Sequence, residues 1–350
     1  MNEGKNFGED VPLWLSGDWD ESDFSDIVVS AEVKINRNIA GWPFACSSDA
    51  RDAKEILRLA EDAVDGLGML DVDLESAPIA LRMFYRERRL ISTSLAYGIP
   101  FTKLFYEPDE SSSVAINEED HIRIRHIVPG FGIQAAISGA AALEAAIGES
   151  VDFANSKEFG YLTACYAEAG SGMRISALVH LPALVLWQEG TQLSSYAQSR
   201  GVSISGGFGD DIMHGNFFHV YAEPDRMENV GSASKAVEDV LKFAVKREKK
   251  CRRQKMPDDI MHLLGCSFGN LKYGYATEYA AAANQISCCI LASKLGLCNI
   301  SANRWKTLMA WCMPGHLMLA TNPDDVDKLE AGRATKIREA ISGVDKFRLE

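Results

Sequence analysis

The sequence predicts an α+β protein, with a mixed α/β part over residues 1–250 and an α-helical part over residues 251–350. Residues 26–35 (DIVVSAEVKI) alternate in polarity and are rich in Val and Ile, which is typical of a strand. Residues 257–320 carry almost no β signal and are dense in Ala, Leu, Met and Cys at helical spacing. A chain of 350 residues is long enough to build a core in each part.

Further segments agree with this division of the chain. Residues 53–67 repeat apolar side chains at helical spacing and predict an amphipathic helix. Residues 134–149, rich in Ala and Gly, predict a helix that can pack closely against a sheet. The remaining predicted elements are strands or apolar core at residues 113–116, 121–127, 174–187 and 215–222, and a solvated helix at residues 324–341.

Composition and charge limit the classes of protein that fit. A formal net charge of −13 argues against nucleic-acid binding, which requires a positive surface. The N-terminus lacks the pattern of a signal peptide, and no apolar run reaches the length of a membrane span. The eight cysteines form no CxxC pair and show no zinc-ligand spacing with the histidines, so no metal site is predicted. We expect a protein of the cytoplasm with reduced thiols.

Residues 117–123 (NEEDHIR) place three carboxylates beside a histidine and an arginine. One interpretation is a solvated acidic turn. The other is a general base among carboxylates that bind a guanidinium, because that cation pairs with carboxylates in a bidentate manner. A base is needed because a guanidinium must lose a proton before its nitrogen can attack phosphorus.

A second candidate stretch runs from residue 160 to residue 184 and contains GYLTAC, GSGMR and HLPAL. The glycines at 170 and 172 allow a close approach of the backbone to a ligand, with Arg174 at the end of that loop. An ordinary turn explains the same letters when they are taken alone. Cys165 is either a buried thiol or a polarised contact to a guanidinium.

Together these stretches resemble the ATP:guanido phosphotransferases, the family of the creatine and arginine kinases, and most closely the bacterial protein arginine kinases. The resemblance extends over nearly the whole chain, and NEEDH joined to the residue 160–184 run is highly specific. It implies a catalytic domain with an antiparallel sheet flanked by helices, and a helical domain that makes a dimer. Further matching motifs are WLSG (14–17), SDIVVS (25–30), RNIAGWPF (37–44), GN (215–216), LKY (271–273) and LGL (295–297).

The resemblance also implies roles for individual residues. Glu119 matches the catalytic base, with Glu118 and Asp120 as its acidic neighbours. The other implied roles are the thiol near the substrate guanidinium (Cys165), an acid that helps to bind the substrate arginine (Asp210) and arginines that hold the ATP phosphates (Arg123 and Arg174).

The sequence departs from the family at the phosphate-binding positions. The strand that reads SSRVRLAR in the family has Glu32 and Lys34 in place of its two arginines, and Ser205 replaces another phosphate arginine. Together with Arg123 and Arg174, these three positions would carry two net positive charges instead of five. Because phosphoryl transfer depends on positioning and charge stabilisation, we expect a weakened or inactive kinase. Glu168, in the loop after Cys165, would add negative charge.

The helical part carries a partial match to the phosphoarginine-binding motif RDxxRA of the protein arginine kinases. Here Glu330 and Arg333 keep the acid and the second arginine, whereas Leu329 replaces the first arginine. Phosphoarginine binding and a plain charged helix are equally consistent with these letters.

Two functions follow from the resemblance. The first is a pseudokinase or weak kinase that acts as a binding or regulatory module for proteins bearing arginine or phosphoarginine. Its partners would include an activator protein or an active kinase, and a second copy of the chain. The alternative is an active protein arginine kinase that uses Mg-ATP, with Glu119 as the base. Without activity no cofactor is expected, and neither function involves nucleic acid or a membrane.

Overall fold

The computed structural model describes residues 11–20, 24–206, 214–227, 229–321, 326–342 and 347–348. In that part of the chain, an eight-stranded sheet has the order β2-β3-β4-β5-β1-β8-β10-β9, and all its pairings are antiparallel. A separate two-stranded sheet joins β6 to β7. The strands are β1 (Val28–Arg37), β2 (Leu70–Asp73), β3 (Lys103–Tyr106), β4 (Ser112–Ile116), β5 (Ile122–Pro129), β6 (Asn155–Ser156), β7 (Gly160–Tyr161), β8 (Met173–His180), β9 (Ser203–Gly206) and β10 (Phe217–Ala222).

After residue 250, the helices of the described part of the chain follow one another with no named strand between them. The segment predicted at residues 174–187 is two elements, since β8 ends at His180 and Pro182 starts a short helix. The helices are α1 (Ala50–Val64), α2 (Ile79–Glu87), α3 (Thr93–Tyr97), α4 (Ile133–Gly148), α5 (Pro182–Leu186), α6 (Gly190–Ser199), α7 (Val230–Arg252), α8 (Asp258–Tyr273), α9 (Tyr279–Lys294), α10 (Ala302–Trp311), α11 (Pro314–Thr321) and α12 (Val326–Ala340).

The central strand β1 has two faces of opposite character, which follow from the period of two along a strand. Val33 and Ile35 belong to the core that helices α1, α4 and α7 cover. Glu32, Lys34 and Asn36 alternate with them and lie on the other face. The sheet is therefore apolar toward these helices and polar on the face where the site is found.

A second core joins both parts of the chain. It contains Trp14 and Phe217 together with Ile286 and Trp305, all of them fully buried. Helix α7 also continues to Arg252, past the boundary predicted at residue 250. The helical part therefore packs directly on the strand-containing part. Among the described residues, no helix combines the length and the apolar character needed to cross a bilayer.

Helices α2 and α11 form the closest contact between the two parts. The carboxylate of Glu87 accepts hydrogen bonds from the backbone amides of Gly315 (2.6 Å) and His316 (3.0 Å) and from the His316 ring (2.8 Å). A β-carbon at Gly315 would lie 2.4 Å from the backbone nitrogen of Phe84. The absence of a side chain at this position is thus a condition for the docking of α11.

We expect Gly315→Ala to destabilise the protein by about 1–3 kcal/mol, because the backbone of α2 must move to admit a methyl group. The measurement is thermal unfolding. Gly269→Ala in α8 is the matched control, since a β-carbon there meets nothing within 4 Å. That control should be neutral or stabilising by about 0.5–1 kcal/mol. Equal melting temperatures for the two variants would contradict the close contact.

Candidate functional site on the polar face of the sheet

Cationic side chains from three adjacent strands lie beside one another on the polar face. In the strand register, Lys34 of β1 stands opposite Arg125 of β5 on one side and Arg174 of β8 on the other. Asn36 stands opposite Arg123. Three of the residues predicted from the sequence, Lys34, Arg123 and Arg174, are therefore neighbours, although they are up to 140 positions apart in the chain.

The acidic motif is the tight loop between β4 and β5. Asn117 opens it with φ of +57°, a left-handed conformation that asparagine tolerates better than most residues. The Asn117 side-chain amide donates to the carbonyl oxygens of Ala53 (2.8 Å) and Phe101 (3.0 Å), which holds the loop against neighbouring segments. The motif is therefore an ordered turn at the edge of the cationic face.

The three carboxylates of this loop have different environments. The Glu119 side chain is 53% exposed, whereas that of Glu118 is 6% exposed and bonds to the Arg123 guanidinium at 2.5 Å. Asp120 is fully enclosed and accepts from the Asn38 amide (2.6 Å) and from the backbone amide of Ala164 (2.7 Å). Asp120 thus ties the segment that carries Cys165 to the acidic loop.

Burial raises the pKa of the Glu119 carboxyl, and the nearby carboxylates of Asp120, Glu168 and Glu118 raise it further, against the opposing charge of Arg123. An exposed carboxylate with a raised pKa has the properties of a general base. His121, in contrast, is a structural residue. Its Nδ1 accepts from the Ile39 amide at 3.0 Å and its Nε2 lies 2.8 Å from the Pro43 carbonyl oxygen, while burial lowers its pKa.

The glycine-rich loop turns sharply at Gly172, where φ is +58°. A β-carbon there would lie 2.7 Å from the Asn36 carbonyl oxygen and 2.6 Å from the Arg37 guanidinium. The turn leads directly into β8 and places Arg174 beside Lys34. The backbone at Gly172 therefore approaches other groups of the protein closely, and the loop packs against the end of β1.

Arg174 is held by two carboxylates. Its Nη2 lies 2.8 Å from Glu168 and 2.7 Å from Glu223, and its guanidinium lies 5.0 Å from the centre of the Tyr221 ring. Burial lowers the pKa of Arg174, but Glu168 and Glu223 outweigh it and the net pKa is raised. Glu168 also accepts from the Asn36 amide at 2.7 Å, so it links β1 to β8.

Glu32 lies beneath the cationic face and is 1% exposed. It forms ion pairs with Arg89, which follows α2, with Arg125 (2.8 Å) and with Lys34 (3.5 Å). Burial raises the pKa of its carboxyl, but Arg125, Arg89 and Lys34 together hold that pKa well below the usual range. Glu32 is therefore a buried anion shared by three cations.

A cavity of about 330 Å³ opens between this face, α2, α3 and the helical part. Besides Lys34 and Arg123, three arginines line it that the family motifs did not indicate: Arg86, Arg89 and Arg125. The count of positive charges made from the aligned positions alone was therefore incomplete. Two signals pointed to these residues, the RERR run at 86–89 and the alternation of Arg123 with Arg125 along one strand.

Three further residues were predicted for this site: Ser205, Cys165 and Asp210. Ser205 is on the outer strand β9, opposite His219, which lines the cavity. Cys165 is a free, partly buried thiol whose carbonyl oxygen accepts from the Thr163 hydroxyl at 2.8 Å. Asp210 lies outside the described residues.

The candidate phosphoarginine residues are separate from this site, on α12. Arg333 is 2% exposed, and its guanidinium donates to the carbonyl oxygens of Cys312 (2.8 Å) and Thr277 (2.7 Å). The Glu330 carbonyl oxygen accepts from the Thr277 amide at 3.3 Å. In this arrangement Arg333 stabilises the packing of α12.

Comparison with known families places these observations in context. The sequence model of the ATP:guanido phosphotransferase C-terminal catalytic domain matches residues 69–248. A protein-arginine kinase from Geobacillus sp. (strain WCH70) is 30% identical over 100% of this chain and 99% of its own length. A protein-arginine kinase from Bacillus cereus (strain G9842) is 29% identical over 98% of this chain and 99% of its own length.

Solved structures of guanidino kinases share the fold. Lombricine kinase superposes with a TM-score of 0.58 at 16% identity, over 73% of this chain and 76% of its own. The duplicated taurocyamine kinase from Schistosoma mansoni gives 0.56 at 19% identity, over 71% of this chain and 40% of its own. The predicted fold class, an antiparallel sheet flanked by helices with helices after it, is confirmed. The chain therefore belongs to the ATP:guanido phosphotransferase family, as a member of the protein-arginine kinase type.

Proposed function

We propose that this chain is a pseudokinase or weak kinase that recognises arginine-bearing or arginine-phosphorylated proteins. The observation that carries the proposal is the buried Glu32 carboxylate, which already pairs with Arg89, Arg125 and Lys34. A triphosphate would have to compete with this internal anion for the same cations. Kinases transfer phosphoryl groups by positioning and neutralising the phosphates, so occupied cations weaken catalysis.

The other candidate phosphate arginines are engaged in the same way. Glu118 holds Arg123, while Glu168 and Glu223 hold Arg174. Charge-assisted bonds of this kind are among the stronger ones in proteins. The residues present therefore do not fit the triphosphate of Mg-ATP as they are arranged, and a nucleotide would have to break several ion pairs to bind.

The arginine-binding side of the site is better preserved. Glu119 is exposed at the edge of the cationic face, and Asp120 ties the Cys165 segment to the same loop. Because an exposed carboxylate can pair with a guanidinium, these groups suit an arginine side chain of another protein. Asp210, which lies outside the described residues, would complete this side as the family resemblance implies. The partners would be client proteins in the cytoplasm, an activator or active kinase, and a second copy of the chain.

The alternative, an active protein arginine kinase, is favoured by one observation. Glu119 combines exposure with a raised pKa, as the deprotonation of a guanidinium requires. A binding module has less need for such a base. Mg-ATP would then supply the phosphoryl group.

The direct test is incubation of the purified chain with Mg-ATP and an arginine-rich protein, followed by measurement of acid-labile phosphate. We expect turnover at or near background, since the loss of one phosphate arginine alone can cost about 10³–10⁵ in rate. Clear turnover that Glu119→Gln abolishes would overturn the proposal in favour of the active kinase. Binding of an arginine-containing peptide, weakened by Glu119→Gln, would support the recognition module.

Release of Arg174 should improve nucleotide binding. We expect Glu168→Gln to raise the affinity for Mg-ATP about tenfold, equivalent to 1.4 kcal/mol, because it removes both a partner of Arg174 and a negative charge. Calorimetric titration measures this change. Glu158→Gln, an exposed carboxylate in the β6–β7 turn, is the matched control and should leave the affinity unchanged. Identical affinities for both variants would contradict the role of Glu168.

Removal of the Glu32 charge should destabilise the unliganded protein. Breaking a buried pair by removing one partner costs about 3–5 kcal/mol, so Glu32→Gln should unfold at a clearly lower temperature. Folding lowers the pKa of Glu32, so its ionised carboxylate adds to the free energy of unfolding above the unfolded pKa of about 4.3. This stabilisation is lost as the pH falls through the pKa of the folded state. The difference between variant and wild type should therefore be fully present at about pH 6 and shrink below about pH 4. A variant as stable as wild type at pH 7 would show that the ion pairs contribute nothing.

A further inference from the structure

A thiol and an imidazole lie side by side on the exposed face of α8, in the helical part of the chain. Cys266 is an exposed free cysteine, and its Sγ is 3.4 Å from Nε2 and 3.9 Å from Nδ1 of His262, one helical turn earlier. The thiolate is the reactive form of cysteine, and a histidine this close can accept the thiol proton as the sulfur attacks. The pair is therefore a candidate nucleophile that none of the family motifs includes.

Cys266 also lines a second cavity, of about 430 Å³, between α5, α8, α9 and the residues that precede β10. Among the described residues, the lining has no charged side chain but has four side-chain amides, those of Asn216, Asn270, Asn284 and Gln285. The Asn216 amide donates to the Ser287 hydroxyl (2.8 Å), and the Asn284 amide oxygen accepts from the Gly215 backbone (2.8 Å).

The side-chain amides of Asn270 and Gln285 form no hydrogen bond with any residue that the structure describes. Each of them has donors and an acceptor to offer to a ligand. Because the lining carries no charge, it cannot compensate an ionised group that leaves water. The cavity therefore suits a neutral molecule with amide groups.

The other cysteines of the chain differ from Cys266. Cys288 lines the same cavity but is 6% exposed, and burial raises the pKa of its thiol against a hydrogen bond with the Ser267 side chain. A thiol that stays protonated is a poor nucleophile. Cys46 is exposed, but its Sγ lies 3.7 Å from the Ser47 hydroxyl, and no histidine in the described part of the chain bonds to it. Exposure, a neighbouring imidazole and a cavity thus coincide at Cys266.

We propose that Cys266 forms a mixed disulfide with a small neutral disulfide whose amide groups bind in this cavity. His262 takes the proton of the Cys266 thiol, and the thiolate attacks one sulfur of the small disulfide. A bond forms between the two sulfurs, the original S–S bond breaks, and the departing thiolate takes the proton from His262. Cys266 is thereby oxidised, and the departing half is reduced to a free thiol. This inference goes beyond the proposed function, because it requires neither arginine recognition nor turnover.

The test compares Cys266 with Cys46 in the full chain, by peptide mass spectrometry after timed reaction with two neutral probes. Bis(2-acetamidoethyl) disulfide carries amide groups, and bis(2-hydroxyethyl) disulfide does not. We expect the amide probe to modify Cys266 at least about tenfold faster than Cys46, because the rate of exchange follows the thiolate fraction and access to the sulfur. The hydroxyethyl probe should show a smaller difference. Equal rates at the two cysteines, or the same difference with both probes, would overturn the proposal.

Two variants separate the role of the imidazole from that of the cavity. His262→Gln changes an exposed side chain and should slow the modification of Cys266 at least about tenfold, while Cys46 reacts as before. Gln285→Leu should remove the preference for the amide probe and leave the reaction with the hydroxyethyl probe unchanged. Thermal unfolding identifies a folding defect in either variant. An unchanged rate at Cys266 in His262→Gln, or an unchanged preference in Gln285→Leu, would contradict the assignment.

Discussion

The buried Glu32 carboxylate is the interaction on which the rest of the site depends. It lies on the central strand β1 and is shared by a cation from its own strand, one from β5 and one from the end of α2. Removing a charge of this kind from water costs several kcal/mol, which only close partners can offset. The three cations provide that compensation, and their pairing with Glu32 holds them beside one another in the lining of one cavity. The position of α2 against the sheet and the charge of the cavity are thus determined by the same carboxylate.

The same use of internal carboxylates recurs across the polar face. Arg123 pairs with Glu118 and Arg174 pairs with Glu168 and Glu223. In a site built to bind a polyanion, such arginines are most useful when they are available to the ligand. Here each of them is paired with a carboxylate of the protein itself.

The arginine-lined cavity lies where the two parts of the chain meet. A charged residue that lines it therefore also takes part in the packing of the helices. Glu87 faces the cavity yet bonds to the first residues of α11, and the tight contact at Gly315 fixes the distance between α2 and α11. Tyr279 of α9 and Met313 beside α11 complete the wall. A ligand in the cavity would therefore contact both parts of the chain. The large shared core around Trp14 and Trp305 buries apolar side chains of both parts against one another.

The secondary-structure elements and the family can be predicted from the sequence alone. Alternating residues at 26–35 predicted β1, and the helical spacing after residue 257 predicted the helices α8 to α10, because these periods report which face of an element is buried. The motif NEEDH with the glycine-arginine loop identified the family. These features are local, so they can be read from neighbouring letters.

Only the tertiary structure decided which charges pair. Glu32 appeared in the sequence as an acid that would repel phosphate, but its partners Arg89 and Arg125 lie 57 and 93 positions away. Arg333 matched a recognition motif, yet its donors are used by backbone carbonyls of other segments. The strength of an ion pair depends on distance and on the exclusion of water, and both are set by packing between elements that the sequence does not place side by side.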